Sequence, residues 1–99
     1  MKSKAERFKS VRGFGAAIGL SEVDMEMIRQ KKRLIQRLKD ARTKKGLSQA
    51  EVARLVGSKQ PAIARMEAGL VSQVSMDFLL RIALVLRVSV TIKPGDLAA

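Results

Sequence analysis

Residues 49–69, QAEVARLVGSKQPAIARMEAG, decide the fold of this chain. Apolar residues recur at helical spacing on both sides of Gly57, which is the pattern of two short amphipathic helices joined by a tight turn. Ala53 is small where the two helix axes are expected to cross, and Gly57 favours the left-handed backbone that ends the first helix. The residues expected to seal the corner from inside are Val52, Val56, Ile63 and Met66. The segment therefore predicts a helix-turn-helix.

A long helix is predicted before this motif. Ser21 and Asp24 have the spacing of a capping box, so the helix is expected to begin at about Glu22 and to continue to Gly46. A break within residues 29–33, where charges crowd, is the alternative. A second capping box, formed by Ser48 and Glu51, predicts the start of the first motif helix.

A further helix is predicted after the motif, capped by Ser75 and running from Met76 to about Leu86. It is apolar on more faces than a small monomer covers. Leu80 and Leu84 are therefore predicted to face a partner.

Residues 88–93, VSVTIK, alternate apolar and polar side chains and are rich in β-branched residues, which predicts a strand. The sequence offers no second strand to pair with it. We therefore expect this strand to pair with its own copy in a twofold dimer. The predicted dimer contacts are Val88, Val90, Ile92, Leu80 and Leu84.

The chain has 99 residues, enough for one domain, and a formal net charge of +11. Such a charge indicates a polyanionic partner, either nucleic acid or an anionic membrane surface. Residues 1–20 are predicted to be a flexible basic arm, and residues 21–99 to be the helix-turn-helix domain with the C-terminal dimerisation strand. The arm is interpreted as a DNA contact, a solubilising tail or a protein-docking segment. No apolar run is long enough to span a bilayer, and a cytoplasmic location is expected.

Cysteine and histidine are absent, which excludes disulfides, the usual zinc sites and nucleophiles activated by imidazole. Glu51 and Glu67 are the only acids of the central motif, and neither has a plausible catalytic partner. We therefore expect no enzymatic activity, no metal and no cofactor.

The spaced set Leu47-Ser48-Gln49-Ala50-Glu51-Val52-Ala53, then Gly57, Ile63 and Met66-Glu67-Ala68-Gly69, resembles the phage-repressor and Cro helix-turn-helix family, often called XRE. The likeness covers about residues 35–86. It implies an all-α, lambda-repressor-like DNA-binding domain of five helices or fewer. In this chain the domain is expected to have a long N-terminal helix and one C-terminal β-strand that pairs across a dimer. The resemblance also implies that the partner is double-stranded DNA rather than a membrane.

The resemblance also implies roles for individual residues. Gln49 matches a glutamine that bonds a DNA phosphate at a helix N-terminus. The recognition helix is predicted over residues 59–67, and its residues that face base edges are Gln60, Pro61, Ala62 and Arg65. Gln60 suits adenine, and Arg65 suits guanine or a phosphate. Arg42 and Glu67 match an ion pair that holds the fold.

Lys59 departs from the family pattern, which has Ser or Thr at that position. Two alternatives remain open. Either Ser58 caps the recognition helix one residue early, or Lys59 gives up capping and contacts a phosphate.

Two functions agree with these features. The first is a dimeric repressor that binds a palindromic operator through the recognition helix. The alternative is an antitoxin of the HigA-like subgroup, which the architecture resembles, with residues 1–20 binding a cognate toxin. The neighbouring gene would distinguish the two.

Overall fold

A computed structural model describes residues 21–93 of the chain. The described residues divide into two units, one with residues 21–30 and Lys93, the other Lys31–Ile92. The predicted basic arm, residues 1–20, lies outside the described residues. The helices are α1 (Glu22–Lys44), α2 (Gln49–Leu55), α3 (Gln60–Glu67) and α4 (Met76–Leu86), with a 3-10 turn at Val71–Gln73 before α4.

Helix α1 begins at the predicted capping box. The Ser21 hydroxyl accepts a hydrogen bond from the Asp24 N–H at 3.0 Å, and the Asp24 carboxylate accepts the Ser21 N–H at 3.3 Å. The helix is continuous through residues 29–33, so the alternative of a break there is wrong. It ends before Gly46, whose φ of 71° is left-handed. The polar and charged residues of α1 therefore follow one uninterrupted helical spacing.

The core of the unit Lys31–Ile92 is formed by all four helices. Its largest side chains with 2% exposure or less are Leu38, Val52, Ile63, Met66, Leu79, Ile82 and Leu86. Burying each such side chain contributes about 1.5–3 kcal/mol before the entropy of ordering is subtracted. These residues hold α2 and α3 in a fixed arrangement.

The turn between α2 and α3 has the geometry that the sequence predicts. Gly57 has a φ of 72°, and the Ser58 N–H donates to the Ala53 carbonyl at 2.8 Å. This bond is typical of a helix end closed by a left-handed glycine. Ala53 itself is buried at 2% exposure, where a small residue is needed. The helix-turn-helix prediction is confirmed.

Residues 88–93 have no regular secondary structure in the single chain, so the structure does not support the predicted strand there. A strand needs a neighbour for its ladder of hydrogen bonds, and residues 21–93 provide none. The first residue of the segment also serves another element, because the Val88 N–H donates to the Ala83 carbonyl at 2.8 Å and closes the end of α4. The resemblance to the HigA-like subgroup relied in part on this strand, and the structure of the single chain does not provide that support.

Arg87 is the one non-glycine residue with positive φ among residues 21–93, at φ 58° and ψ 44°. It follows α4 directly, where glycine is usually found. A left-handed conformation costs a residue with a side chain about 1–2 kcal/mol, whereas glycine adopts it freely.

Arg87→Gly is therefore expected to raise the free energy of unfolding by about 1 kcal/mol, since the extra chain entropy of glycine offsets part of the gain. Urea unfolding measures the change. Arg87→Ala is the matched control, because it removes the same charge but keeps the strain. An equal gain in both variants would trace the effect to charge rather than to backbone conformation.

Candidate nucleic-acid interface

The N-terminus of α2 is fixed by a capping box. The Ser48 hydroxyl accepts the Glu51 N–H at 3.0 Å, and Glu51 Oε1 accepts the Ser48 N–H at 2.7 Å. These hydrogen bonds from Ser48 lower the pKa of Glu51 below its ordinary value. They also define the first turn of α2, where Gln49 is located. The free amides of such a turn favour an anion.

The N-terminus of α3 has no side-chain cap. The capping position is Lys59, in extended conformation, and its side chain makes no cap hydrogen bond. The helix therefore begins at Gln60, one residue later than predicted, and the alternative in which Ser58 caps it is wrong. Pro61 lies in the first turn, where a missing N–H has no intrahelical partner to lose.

Two glutamines that the sequence suggested separately are bonded to each other. Gln60 Nε2 donates to Gln49 Oε1 at 2.7 Å, across the corner between α3 and α2. Gln49 Nε2 in turn donates to Glu67 Oε1 at 3.0 Å. Each glutamine amide has a second N–H that takes part in neither of these bonds. The pair is held in one orientation while keeping donors for a ligand.

Arg42 and Glu67 form a bidentate ion pair. Arg42 Nε donates to Glu67 Oε2 at 2.5 Å, and Arg42 Nη2 donates to Glu67 Oε1 at 2.9 Å. Arg42 Nη1 also donates to the Leu47 carbonyl at 2.8 Å, in the loop before α2. The side chains are 14% and 4% exposed. We call the connected set Arg42, Glu67, Gln49 and Gln60 the polar chain, since it links α1, α2 and both ends of α3.

Opposing effects act on the Glu67 carboxyl. Burial by itself raises the pKa of Glu67. Hydrogen bonds from Arg42 and Gln49 and the charges of Arg42 and Lys39 together lower the pKa by more than burial raises it, so the net pKa lies below the ordinary value. The hydrogen bond to Glu67 raises the pKa of Arg42. The carboxylate is therefore ionised at neutral pH and able to accept the Gln49 bond.

The outer face of α3 carries the residues that the sequence assigned to DNA. Lys59, Gln60, Pro61 and Arg65 are exposed, and Ala62 is half-buried. The opposite face is anchored in the core by Ile63 and Met66. The Arg65 side chain forms no hydrogen bond or ion pair with any residue of the described range, and it borders an open depression lined also by Ala62 and Phe78. Its guanidinium is thus available to an external acceptor.

The residues predicted to form a dimer lie partly on the surface. Leu80 is 39% exposed and Leu84 is 80% exposed on α4, and in the following segment Val90 is 37% and Ile92 63% exposed. Val88 is half-buried and packs against the core. The exposed four therefore leave apolar area in contact with water, whereas Val88 belongs to the packing of the single chain.

Residues 21–93 contain no group of three or more acidic, His or Cys side chains arranged to hold a metal ion. None of the helices in that range is both long and apolar enough to cross a membrane.

A family model described as helix-turn-helix matches residues 38–93, more than half of the chain. The chain belongs to the XRE-type helix-turn-helix family. The matched range includes α2, α3 and α4 together with Arg42, and a domain of this family is a DNA-binding regulatory domain. No curated protein and no solved structure matches the chain significantly.

Proposed function

We propose that this helix-turn-helix protein is a sequence-specific transcriptional repressor that reads operator DNA in the major groove with α3. The observation that supports it best is the Gln60–Gln49 hydrogen bond, next to an exposed outer face of α3. A recognition side chain that is already oriented loses less rotamer entropy on binding. The polar chain supplies this order from within the fold, through Glu67 and Arg42.

Gln60 is suited to adenine. Its Oε1 accepts from the adenine N6 amino group, and the N–H not used by Gln49 donates to N7, which is the bidentate pairing for this base. Gln49 keeps one N–H beyond its bond to Glu67, at the N-terminus of α2 where helix amides favour a phosphate. One pair of glutamines thereby connects a base contact to a backbone contact.

Arg65 and Lys59 are assigned different tasks. Arg65 lies in the last turn of α3 with a free, exposed guanidinium, whose fork of donors fits guanine O6 and N7. Lys59 stands at the N-terminus of the same helix with an exposed ammonium group that makes no cap. We assign Lys59 to a phosphate, which positions the helix without reading sequence.

Dimerisation completes the proposal. Leu80 and Leu84 are exposed one helical turn apart on α4, and Val90 and Ile92 are exposed in the segment that follows it. We assign these four residues to one dimer surface. A twofold axis through this surface would cover it with its own copy and would give residues 88–93 the strand partner that the single chain lacks. Two α3 helices would then enter major grooves about 34 Å apart on a palindromic operator.

The function is tested with duplexes selected by the protein from a random-sequence pool. Arg65→Ala is expected to cost about 1–3 kcal/mol of discrimination at one base-pair position, because it removes a base contact. Lys59→Ala is the matched control. It should weaken selected and scrambled duplexes equally and reduce the salt slope of log K by about 0.9.

Fluorescence anisotropy titrations at several salt concentrations measure both quantities. Wild-type protein that binds selected and scrambled duplexes with the same affinity would refute sequence-specific regulation. If Arg65→Ala lowers the affinity for all sequences equally, Arg65 contacts a phosphate, and Gln60 remains the residue assigned to base recognition.

A further inference from the structure

The outer face of α1 between Lys31 and Lys44 is strongly basic. Its exposed cationic residues are Lys32, Arg33, Arg37, Lys39 and Lys44. Asp40 is the one acid in this part of α1, and its carboxylate accepts a hydrogen bond from Gln36 at 2.9 Å. The five cations extend over roughly 18 Å along the helix at 1.5 Å per residue. We call this surface the α1 basic face.

None of these five side chains forms a hydrogen bond or ion pair with another residue in 21–93, in contrast to the side chains of Arg42 and Lys31 on the same helix. Arg42 is held by Glu67, and the Lys31 ammonium donates to the Val74 carbonyl at 2.7 Å. Arg33 and Arg37 are one turn apart, a like-charge spacing that destabilises a helix by about 0.2–0.5 kcal/mol. The basic residues of α1 from Lys31 onward thus divide into two whose side chains bond within the fold and five whose side chains form no hydrogen bond or ion pair in residues 21–93.

The α1 basic face lies next to the polar chain. Lys39 is one helical turn before Arg42, which grips Glu67 at the end of α3. The charge of Lys39 also contributes to lowering the pKa of Glu67. Lys39, at one edge of the basic face, is therefore near enough to the C-terminal end of α3 for its charge to act on Glu67.

The chemistry of this face favours phosphates over lipid. A helix that lies in a membrane interface needs apolar side chains free to enter the bilayer. The large apolar residues in this part of α1, Leu34, Ile35 and Leu38, are at most 5% exposed because they form the core. What remains for a partner is a row of cations, which matches the phosphate backbone of duplex DNA.

We propose that the α1 basic face binds DNA phosphates that flank the base pairs read by α3, extending the contact beyond the operator half-site. This inference rests on the proposed DNA-binding function and adds a second surface to it. The contact is independent of base sequence, so it raises affinity for selected and scrambled duplexes by the same factor.

The test compares two double variants that each remove two positive charges. Arg33→Gln with Arg37→Gln removes part of the α1 basic face, and Arg81→Gln with Arg87→Gln removes two exposed arginines of α4 and its end. Glutamine retains good helix propensity at the helical positions, so both should fold, which circular dichroism verifies. Each is titrated against a duplex trimmed to the selected site and against the same site with flanking DNA on both sides.

The α1 variant is expected to reduce the salt slope of log K by up to about 1.8 on the extended duplex, since each phosphate contact contributes about 0.9. Its affinity there should fall roughly tenfold relative to the α4 control, and the two variants should agree on the trimmed duplex. Equal behaviour on the extended duplex, or an equal loss on both duplexes, would overturn the flanking contact. Both variants are also titrated against vesicles of anionic phospholipid. If the α1 variant binds the vesicles more weakly than the α4 control but binds both duplexes equally well, the flanking contact is overturned.

The two hypotheses fail in different ways. A wild-type protein without sequence preference refutes the proposed regulator, yet the flanking contact remains measurable on scrambled extended DNA. If the wild-type protein prefers its selected sequence, but the α1 and α4 variants bind the extended duplex with the same affinity, only the flanking contact is refuted.

Discussion

Arg42→Ala is expected to lower the free energy of unfolding by about 3–5 kcal/mol, which is a large share of the stability of a small domain. The variant leaves the Glu67 carboxylate, 4% exposed, without the cation that makes two hydrogen bonds to it. It also removes the donor that holds the Leu47 carbonyl at the start of the corner. Urea unfolding at neutral pH measures the loss.

The pH dependence of this loss identifies its cause. In the wild-type protein the pKa of Glu67 is lowered, so its stabilisation is present above the ordinary value of about 4.3 and is lost as pH falls through the lowered pKa. Without Arg42, burial is expected to dominate and to raise the pKa of Glu67, so that the ionised carboxylate would destabilise the fold instead of stabilising it. The stability difference between wild type and Arg42→Ala should therefore shrink as the pH falls, beginning at the raised pKa of Glu67 in the variant, above about 4.3, and ending below the lowered pKa in wild type.

Glu67→Gln supplies the control, because it removes the titrating group while keeping an amide of similar shape. Adding Arg42→Ala to Glu67→Gln should cost less than Arg42→Ala alone, and the cost should not change over the acid range through this site. A loss below about 1 kcal/mol that is independent of pH would show that the pair behaves as a solvent-exposed ion pair.

The parts of the fold that the sequence predicts are those set by neighbours in the chain. Capping boxes at Ser21 and Ser48 and the left-handed Gly57 each join groups within a few residues of one another, so their spacing is visible in the sequence. The four helices follow from these signals and from apolar periodicity.

The parts that sequence reasoning missed depend on tertiary structure. Gln49 and Gln60 are 11 positions apart and meet because Gly57 turns the backbone between them. Lys31 lies in a run of basic residues in the sequence, yet its ammonium donates to the Val74 carbonyl, 43 residues away. Residues 88–93 have the composition of a strand, but strand formation requires a partner that composition does not supply.

Leu84→Glu is expected to abolish the proposed dimer and to reduce affinity for a palindromic site by roughly 10²- to 10⁴-fold. The side chain is 80% exposed in the single chain, so the new carboxylate remains hydrated and the monomer should fold normally. In a twofold interface through Leu80 and Leu84 the same carboxylate would be buried without a partner. Loss of the dimer removes the gain from binding both half-sites together, which is typically of that size.

Sedimentation equilibrium and titration of full and half operator sites measure the two effects separately. Leu55→Glu is the matched control, since Leu55 is 56% exposed on α2 and lies outside the proposed interface. It should remain dimeric, whereas Leu84→Glu should bind the half-site like wild type and lose only the advantage of the palindrome. If Leu84→Glu stays dimeric, or if wild type is monomeric while it saturates the palindrome, the α4 surface does not form the interface. Because the proposal assigns one apolar surface to both properties, any substitution at Leu80 or Leu84 that disrupts the dimer should also reduce the affinity for the palindrome.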